Sequence, residues 1–294
     1  MMSELPLEQV RTLLAVVDEG TFDAAAAALH VTPSAVSQRV KALEQRTGRV
    51  LLQRTKPVRP TESGAVLVRF ARQLARLERD ARGELGLSGP DEPTRVTVAV
   101  NADSLATWFL GALPQVAGLC FELYREDEDH TAALLREGLV MAAVTSSPDP
   151  VPGCSVRPLG RMRYLPVATP EFAERHLDGP LRELLPEAPV VVFDRKDDFQ
   201  DGFVRQLGGT GAGQLRHYVP TSEGFLDAVA AGLGWGMIPE AQARPLLREG
   251  RLALLAPRER MDVRLHWQQW KLDSPTLAAL ADAVAATAAR TLRR

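Results

Sequence analysis

Ser34, Ser37, Gln38 and Lys41 recur at offsets of three, four and seven residues from the first, the spacing that lays four side chains along one face of an α-helix. Their hydroxyl, amide and ammonium groups can hydrogen-bond base edges, or meet guanine and phosphate, in the major groove of a duplex. Residues 30–60 also hold Arg39, Arg46, Arg49, Arg54, Lys56 and Arg59, with Glu44 as the one acidic residue of that stretch. The full chain has 294 residues and a net charge of −2, so this local positive surplus leaves the remainder acidic. Such a division attracts a polyanion at one place and repels it elsewhere. A second chemical set follows later in the chain, in Asn101-Ala-Asp103-Ser104, Thr145-Ser146-Ser147 and Thr221-Ser222-Glu223. Each of the three follows an apolar run or opens a helical pattern, where free backbone amides and hydroxyls suit a small anion such as a carboxylate.

The elements that must position the first set are legible from caps and periodicity. Leu7, Val10, Leu13, Leu14 and Val17 have helical spacing, Gly20 ends that helix, and Thr21 caps a short alanine-rich one. Thr32 is the N-cap of a third helix, and Pro33 takes its first position, where a missing N–H is harmless. Val36, Val40 and Leu43 bury one side of this helix as far as Gly48, leaving Ser34, Ser37, Gln38 and Lys41 on the other. Residues 51–60 then have the pattern of a hairpin wing carrying Arg54, Lys56 and Arg59, cations that hold phosphates without specifying sequence. A winged helix-turn-helix is predicted over residues 1–60. The plain alternative, a three-helix bundle with a solvated face, explains the polar row but not the charge, the caps and the wing together.

Thr61 caps a long helix over residues 61–88, in which Leu67, Phe70, Leu74, Leu77 and Ala81 alternate steps of three and four. That heptad seam predicts pairing with a second copy, against the simpler option of packing on its own wing. Residues 88–93 are rich in Gly and Pro, and a hinge is expected at 89–93. Beyond it, apolar strand-like runs near 95–100, 120–124, 140–145, 190–193 and 236–238 alternate with helical runs, predicting an α/β domain over 94–294 with a mainly parallel sheet. A short strand at 162–168 and a return near 263–271 would divide it into lobe I, about 94–164 and 266–294, and lobe II, about 165–265. Small ligands in such sheets bind beyond the carboxyl ends of strands.

The segment AAAALHVTPSAVSQRVKALEQRTGRVLLQRTKPVRPTESG (residues 25–64) resembles the winged helix-turn-helix of LysR-type transcriptional regulators. VAVNADSLATW (98–108), EDE (126–128), APVVVFD (188–194) and GMIP (236–239) are similar to the ArgP/LysG branch, which senses lysine and arginine. One departure is Pro33, where many members carry a polar residue such as Gln; no base can be read from that position. The resemblance implies a periplasmic-binding-protein-like effector domain, dimers formed through the long helix, commonly tetramers, and action on double-stranded promoter DNA together with RNA polymerase. It also implies a lysine or arginine effector. Ser104, Ser146 and Ser222, with Asn101 and Thr221 beside them, would then hold its α-carboxylate, while Asp103, Glu126, Asp127 and Asp194 would meet its cationic ends. Trp108 would supply an apolar or cation–π wall. Ordinary helix caps and solvated acids are the bland account of the same residues. The expected role is a regulator activating a basic-amino-acid exporter or metabolism gene; the rival is an architectural protein of the same family that inhibits replication initiation.

Other classes are argued against by what the chain carries. Hydrophobic residues at 45% and charged ones at 24% exclude intrinsic disorder. No run approaches the roughly 20 uninterrupted apolar residues of a membrane span, and Met1-Met2-Ser3-Glu4 does not begin a secretory signal, so a cytoplasmic protein is expected. Cys120 and Cys154 are too few for a disulfide framework, and five scattered histidines suggest no zinc site. Gly208-Gly-Thr-Gly-Ala-Gly213 lacks the Lys-Ser/Thr of a phosphate loop, and no Gly-x-Ser-x-Gly nucleophile elbow occurs. Neither enzyme activity, nor a metal, nor a cofactor is expected.

Overall fold

The computed structural model describes residues 5–87, 94–125 and 128–294, without the side chains of residues 128–130. The hinge expected at 89–93 and two of the acids, Glu126 and Asp127, lie outside the described residues.

Three helices open the chain: α1 (Leu7–Glu19), α2 (Phe22–Ala28) and α3 (Pro33–Thr47). Gly20 ends α1 in the left-handed region at φ 71°, and the Thr21 hydroxyl accepts the Ala24 N–H at 3.1 Å to start α2. Thr32 does the same for α3, accepting the Ala35 N–H at 3.2 Å. The wing pairs β1 (Leu52–Gln53) antiparallel with β2 (Arg59–Pro60). Val10, Leu13, Val36, Val40 and Leu43 form one core with Leu51, Leu52 and Val58 of the wing, each fully buried aliphatic side chain contributing about 1.5–3 kcal/mol.

The long helix α4 (Glu62–Glu84) is capped by Thr61, whose hydroxyl oxygen accepts the Gly64 N–H at 3.0 Å. A Cβ at Gly64 would stand 1.9 Å from the Leu51 carbonyl oxygen, so only glycine lets helix and wing meet. Leu67, expected in the pairing seam, is instead buried in the head's core with Val68 and Ala71. The apolar residues left open on α4 are Val66, Phe70 and Leu77, with Leu85 just beyond its end; Leu74 is half-buried and Ala81 exposed. Of the five heptad residues, Leu67 is therefore withdrawn from any pairing seam, while Phe70, Leu74, Leu77 and Ala81 stay at least partly open. Three arginines tie α4 to the rest of the chain. Arg69 donates to the Pro152 carbonyl at 3.1 Å, and Arg72 reaches both Asp18 of α1 and the Glu137 carbonyl. The side chain of Arg76 is wholly buried, 2.7 Å from Asp80, which also accepts the Ser274 hydroxyl at 2.7 Å. One side of the helix thus rests on its own C-terminal domain.

That domain runs β3 (Thr94–Val100), α5 (Ala102–Thr107), a 3-10 turn (Phe109–Gln115), β4 (Leu119–Arg125), α6 (Glu128–Glu137) and β5 (Ala142–Thr145). Then come β6 (Cys154–Ala168), α7 (Pro170–His176), α8 (Leu181–Leu184), β7 (Val190–Val192), α9 (Phe199–Gln206), β8 (Arg216–Tyr218) and α10 (Ser222–Ala230). The chain finishes with β9 (Gly236–Pro239), α11 (Glu240–Arg248), β10 (Ala253–Leu254), β11 (Met261–Trp270) and α12 (Pro275–Thr291). The main sheet has the order β10-β6-β11-β5-β3-β4, with β9 also on β6, while β7 and β8 form a separate parallel pair.

The sheet is mixed, which corrects the mainly parallel expectation: β3 runs parallel to β4 and β5, but β11 is antiparallel to both β5 and β6. β6 and β11 are the crossing strands. β6 pairs with β11 from Cys154 to Tyr164, and its last residues, Tyr164 to Ala168, pair with β9 and β10. At 15 residues β6 is far longer than the segment 162–168 suggested, because Arg157, Gly160, Arg161 and Arg163 interrupt its apolar pattern. Cys154 is buried at the start of this strand. The last helix packs on lobe I, burying Leu277, Leu280, Val284 and Ala288 with Phe109, Ala112 and Trp267. No helix among the described residues is long and apolar enough to cross a membrane.

Candidate functional site

On α3 the sequence pattern becomes a surface. Val36, Val40 and Leu43 face inward, while Ser34, Ser37, Gln38 and Lys41 are exposed together. Thr32 is exposed too, but its hydroxyl is engaged as the cap. Arg39 stands apart from the row: half-buried, it is ion-paired with Glu8 of α1, which neutralises it locally. Arg54, Lys56 and Arg59 are exposed on the wing. The wing is anchored by the Val58 N–H donating to the Gly20 carbonyl at 2.8 Å, and the Arg54 guanidinium lies 5.7 Å from the Phe22 ring centroid. A helix face bearing amide and hydroxyl groups, flanked by cations on a fixed wing, can read base edges while gripping phosphates.

The second site is a cleft of about 370 Å³ between the lobes, at the small end of ligand pockets and of amino-acid size. Asn101 and Asp103 enter from the end of β3 and the start of α5, Tyr164 from β6, Phe193, Asp194 and Lys196 to Asp198 from the segment after β7, Phe199 and Gln200 from the start of α9, and Ser222 from the start of α10. Asp103 is the deep group. Its Oδ2 accepts the Tyr164 hydroxyl and its Oδ1 the Ser222 hydroxyl, each at 2.6 Å. Burial raises its pKa above the usual carboxylate range, and those two hydrogen bonds offset part of the rise. Asn101 holds the approach in place, its side-chain oxygen accepting the Ser104 N–H at 3.2 Å.

The opposite wall is a tight acidic turn. Asp194 Oδ1 accepts the N–H groups of Lys196 and Asp197 at 2.7 and 3.0 Å. The Asp197 carboxylate accepts those of Phe193 and Phe199, both at 3.0 Å, yet burial still raises its pKa. Phe193, Phe199, Phe225, Met237 and Val263 supply apolar lining, with the Tyr164 and Phe199 rings edge-to-face at 4.7 Å. Among the described residues, the cleft is thus lined by Asp103, Asp194, Asp197 and Asp198 and by one cation, Lys196. Carboxylates at both ends of an apolar slot suit a ligand with an alkyl stem and cationic groups.

Of the residues expected here, Asn101, Asp103, Asp194 and Ser222 line the cleft together. Ser104, Trp108, Ser146 and Thr221 do not. Ser104 is completely buried, because it points from α5 into lobe I. Trp108 packs edge-to-face on Phe109 at 5.8 Å inside the same core and forms no cleft wall. The Thr221 hydroxyl caps α10 by accepting the Gly224 N–H at 3.2 Å. Tyr164, Asp197, Phe199, Gln200 and Gln242 were not foreseen. The run Asp194-x-x-Asp197-Asp198 before a helix carried a turn signal; Tyr164 and Gln242 carried none.

Two family models match the chain: "Bacterial regulatory helix-turn-helix protein, lysR family" over residues 7–65, and "LysR substrate binding domain" over residues 92–289. The lysine export transcriptional regulatory protein LysG of Corynebacterium glutamicum is 45% identical over 293 residues, covering 97% of this chain and 98% of that one. The crystal structure of ArgP from Mycobacterium tuberculosis superimposes with a TM-score of 0.92 at 49% identity, covering 97% and 98%. Full-length LysG from C. glutamicum with the effector Arg bound gives a TM-score of 0.85 at 44% identity, covering 98% and 100%.

Proposed function

The chain belongs to the LysR family of bacterial helix-turn-helix transcriptional regulators, and from that premise we propose that it controls a promoter in response to lysine or arginine. The observation that carries this is the cleft: buried Asp103, held by Tyr164 and Ser222, faces the acidic turn at Asp194 and Asp197 across an apolar slot. One end receives the α-ammonium of a basic amino acid and the other its side-chain cation. The relatives agree in kind, one being named for lysine export and another holding arginine.

Ser34, Ser37, Gln38 and Lys41 face base edges, and Arg54, Lys56 and Arg59 hold phosphates. Two copies pair through Phe70, Leu74, Leu77 and Ala81 of α4, presenting two such helices to an inverted repeat; pairs of dimers cover a longer promoter region and meet RNA polymerase. The effector changes the placement of the heads, which requires that it bind the two arrangements unequally. The target is an exporter or metabolism gene for basic amino acids, and the protein acts in the cytoplasm without catalysing a reaction.

The test is calorimetry of the twenty amino acids against the full-length protein, with footprinting of promoter fragments with and without the binders. Binding of lysine or arginine that alters the footprint supports the assignment. Binding of neither overturns it, and protection of a replication origin in place of promoters favours the architectural alternative.

A further inference from the structure

Gln200 lines the cleft from the first turn of α9 and is 2% exposed. Its amide nitrogen donates to the Asp197 carboxylate. Because a carboxylate accepts only, that bond fixes which end of the amide is which. The other end, Oε1, is buried and has no hydrogen-bond donor. A buried carbonyl without a donor is destabilising, because its lost hydration is not replaced. The other buried side chains of α9, Phe203 and Val204, are apolar, so Gln200 is the polar exception among them.

We infer that Gln200 is a specificity-determining residue of the effector site, whose Oε1 accepts an N–H from the cationic side chain of the bound amino acid. This rests on the basic-amino-acid reading of the cleft and deepens it. Asp197 supplies charge at that end of the slot, but charge alone does not discriminate between cations. An uncharged acceptor beside it adds a demand for an N–H donor, which ammonium and guanidinium groups meet and a neutral aliphatic chain does not. Sites that hydrogen-bond their ligand reject analogues lacking the donor far more strongly than apolar pockets reject extra methylenes. The ligand would satisfy a buried side-chain acceptor that the protein leaves unpaired.

The experiment is calorimetry of the full-length protein with lysine, arginine and norleucine, comparing the wild type with Gln200→Leu and Gln200→Met, together with thermal melts of the unliganded proteins. Both substitutions are expected to weaken lysine and arginine at least tenfold, about 1.4 kcal/mol, with norleucine unaffected and the free variants no less stable than the wild type. A second variant of different shape keeps the test open if one of them fails to fold. Repeating the titrations at higher pH separates contact from positioning: a loss that persists supports the Oε1 contact, whereas full recovery shows that Gln200 acts only by keeping Asp197 ionised, and overturns it. Lysine and arginine affinities within twofold of the wild type overturn it as well. A wild type that binds neither amino acid sinks the cleft assignment itself, whereas intact wild-type binding with indifferent variants removes Gln200 alone.

Discussion

The Ser222 hydroxyl of lobe II lies 2.6 Å from the Asp103 carboxylate of lobe I and donates to it across the cleft. Tyr164, on a strand that runs through both lobes, donates to the other oxygen of the same carboxylate. The buried acid is thus the point where two separately folded walls are tied together. Any cation entering the cleft meets it already oriented.

Asp103→Ala is expected to abolish lysine and arginine binding while leaving DNA affinity without effector unchanged. Calorimetry and gel shifts on the same preparation check both halves. A normal lysine isotherm for this variant would remove Asp103 from the site.

Binding should also depend on pH. Burial raises the pKa of Asp103 and Asp197, and a cation binds their ionised forms. Affinity therefore falls as pH drops through these raised values, a loss that begins at higher pH than for exposed carboxylates. Binding releases protons in that window, so the calorimetric enthalpy should vary with the ionisation enthalpy of the buffer. Stability of the free protein runs the other way. The folded state holds the extra protons, so these two groups favour folding most below their unfolded-state pKa, and that contribution is lost as pH rises through the folded one. Melting curves across the acidic range test the sign.

On DNA, Gln38→Ala should alter sequence preference, because its amide is exposed on α3 and, as proposed, meets base edges. Arg54→Ala should weaken all duplexes alike and flatten the salt dependence by about one unit of slope. Binding-site selection and salt titrations on both variants measure this division of labour, and identical behaviour of the two would refute it.

Leu67 and Leu77 lie on one helix but on different surfaces, 9% and 40% exposed. Leu77→Glu is expected to shift the protein toward monomer with the fold retained. Leu67→Ala should leave the mass unchanged and lower stability by about 2–5 kcal/mol. Light scattering and denaturant melts separate the two.

Asp80→Ala leaves the wholly buried Arg76 guanidinium without its counter-charge. A loss of about 3–5 kcal/mol is expected. Ser274→Ala, which removes a donor to Asp80 and the cap of α12, should cost about 1–2 kcal/mol. Denaturant unfolding measures both, and a neutral Asp80→Ala would mean that the pair does not hold the helix to the C-terminal domain.

What was legible in the sequence was local. Thr21, Thr32 and Thr61 announce helix starts because a cap bonds an amide three residues away, and all three do so. The polar row on α3 follows from its apolar opposite face. The direction of Ser104 and Trp108 was not legible: both follow β3 as expected, but the packing of lobe I decides that they turn inward. Tyr164 and Gln242 reach the cleft from elements far along the chain, and no short-range spacing records that they meet. The expected seam on α4 lost Leu67 for the same reason, since the head's own core takes that side chain.

The contact at Gly64 has a mechanical corollary. With no space between the Leu51 carbonyl and the helix backbone, wing and α4 cannot slide past each other, so each head and the near end of its helix turn as one lever. If the cleft signals to DNA as proposed, the signal would reach the duplex as a change in the separation and tilt of two intact heads, and should register in the tolerated distance between half-sites more than in the bases each half-site prefers.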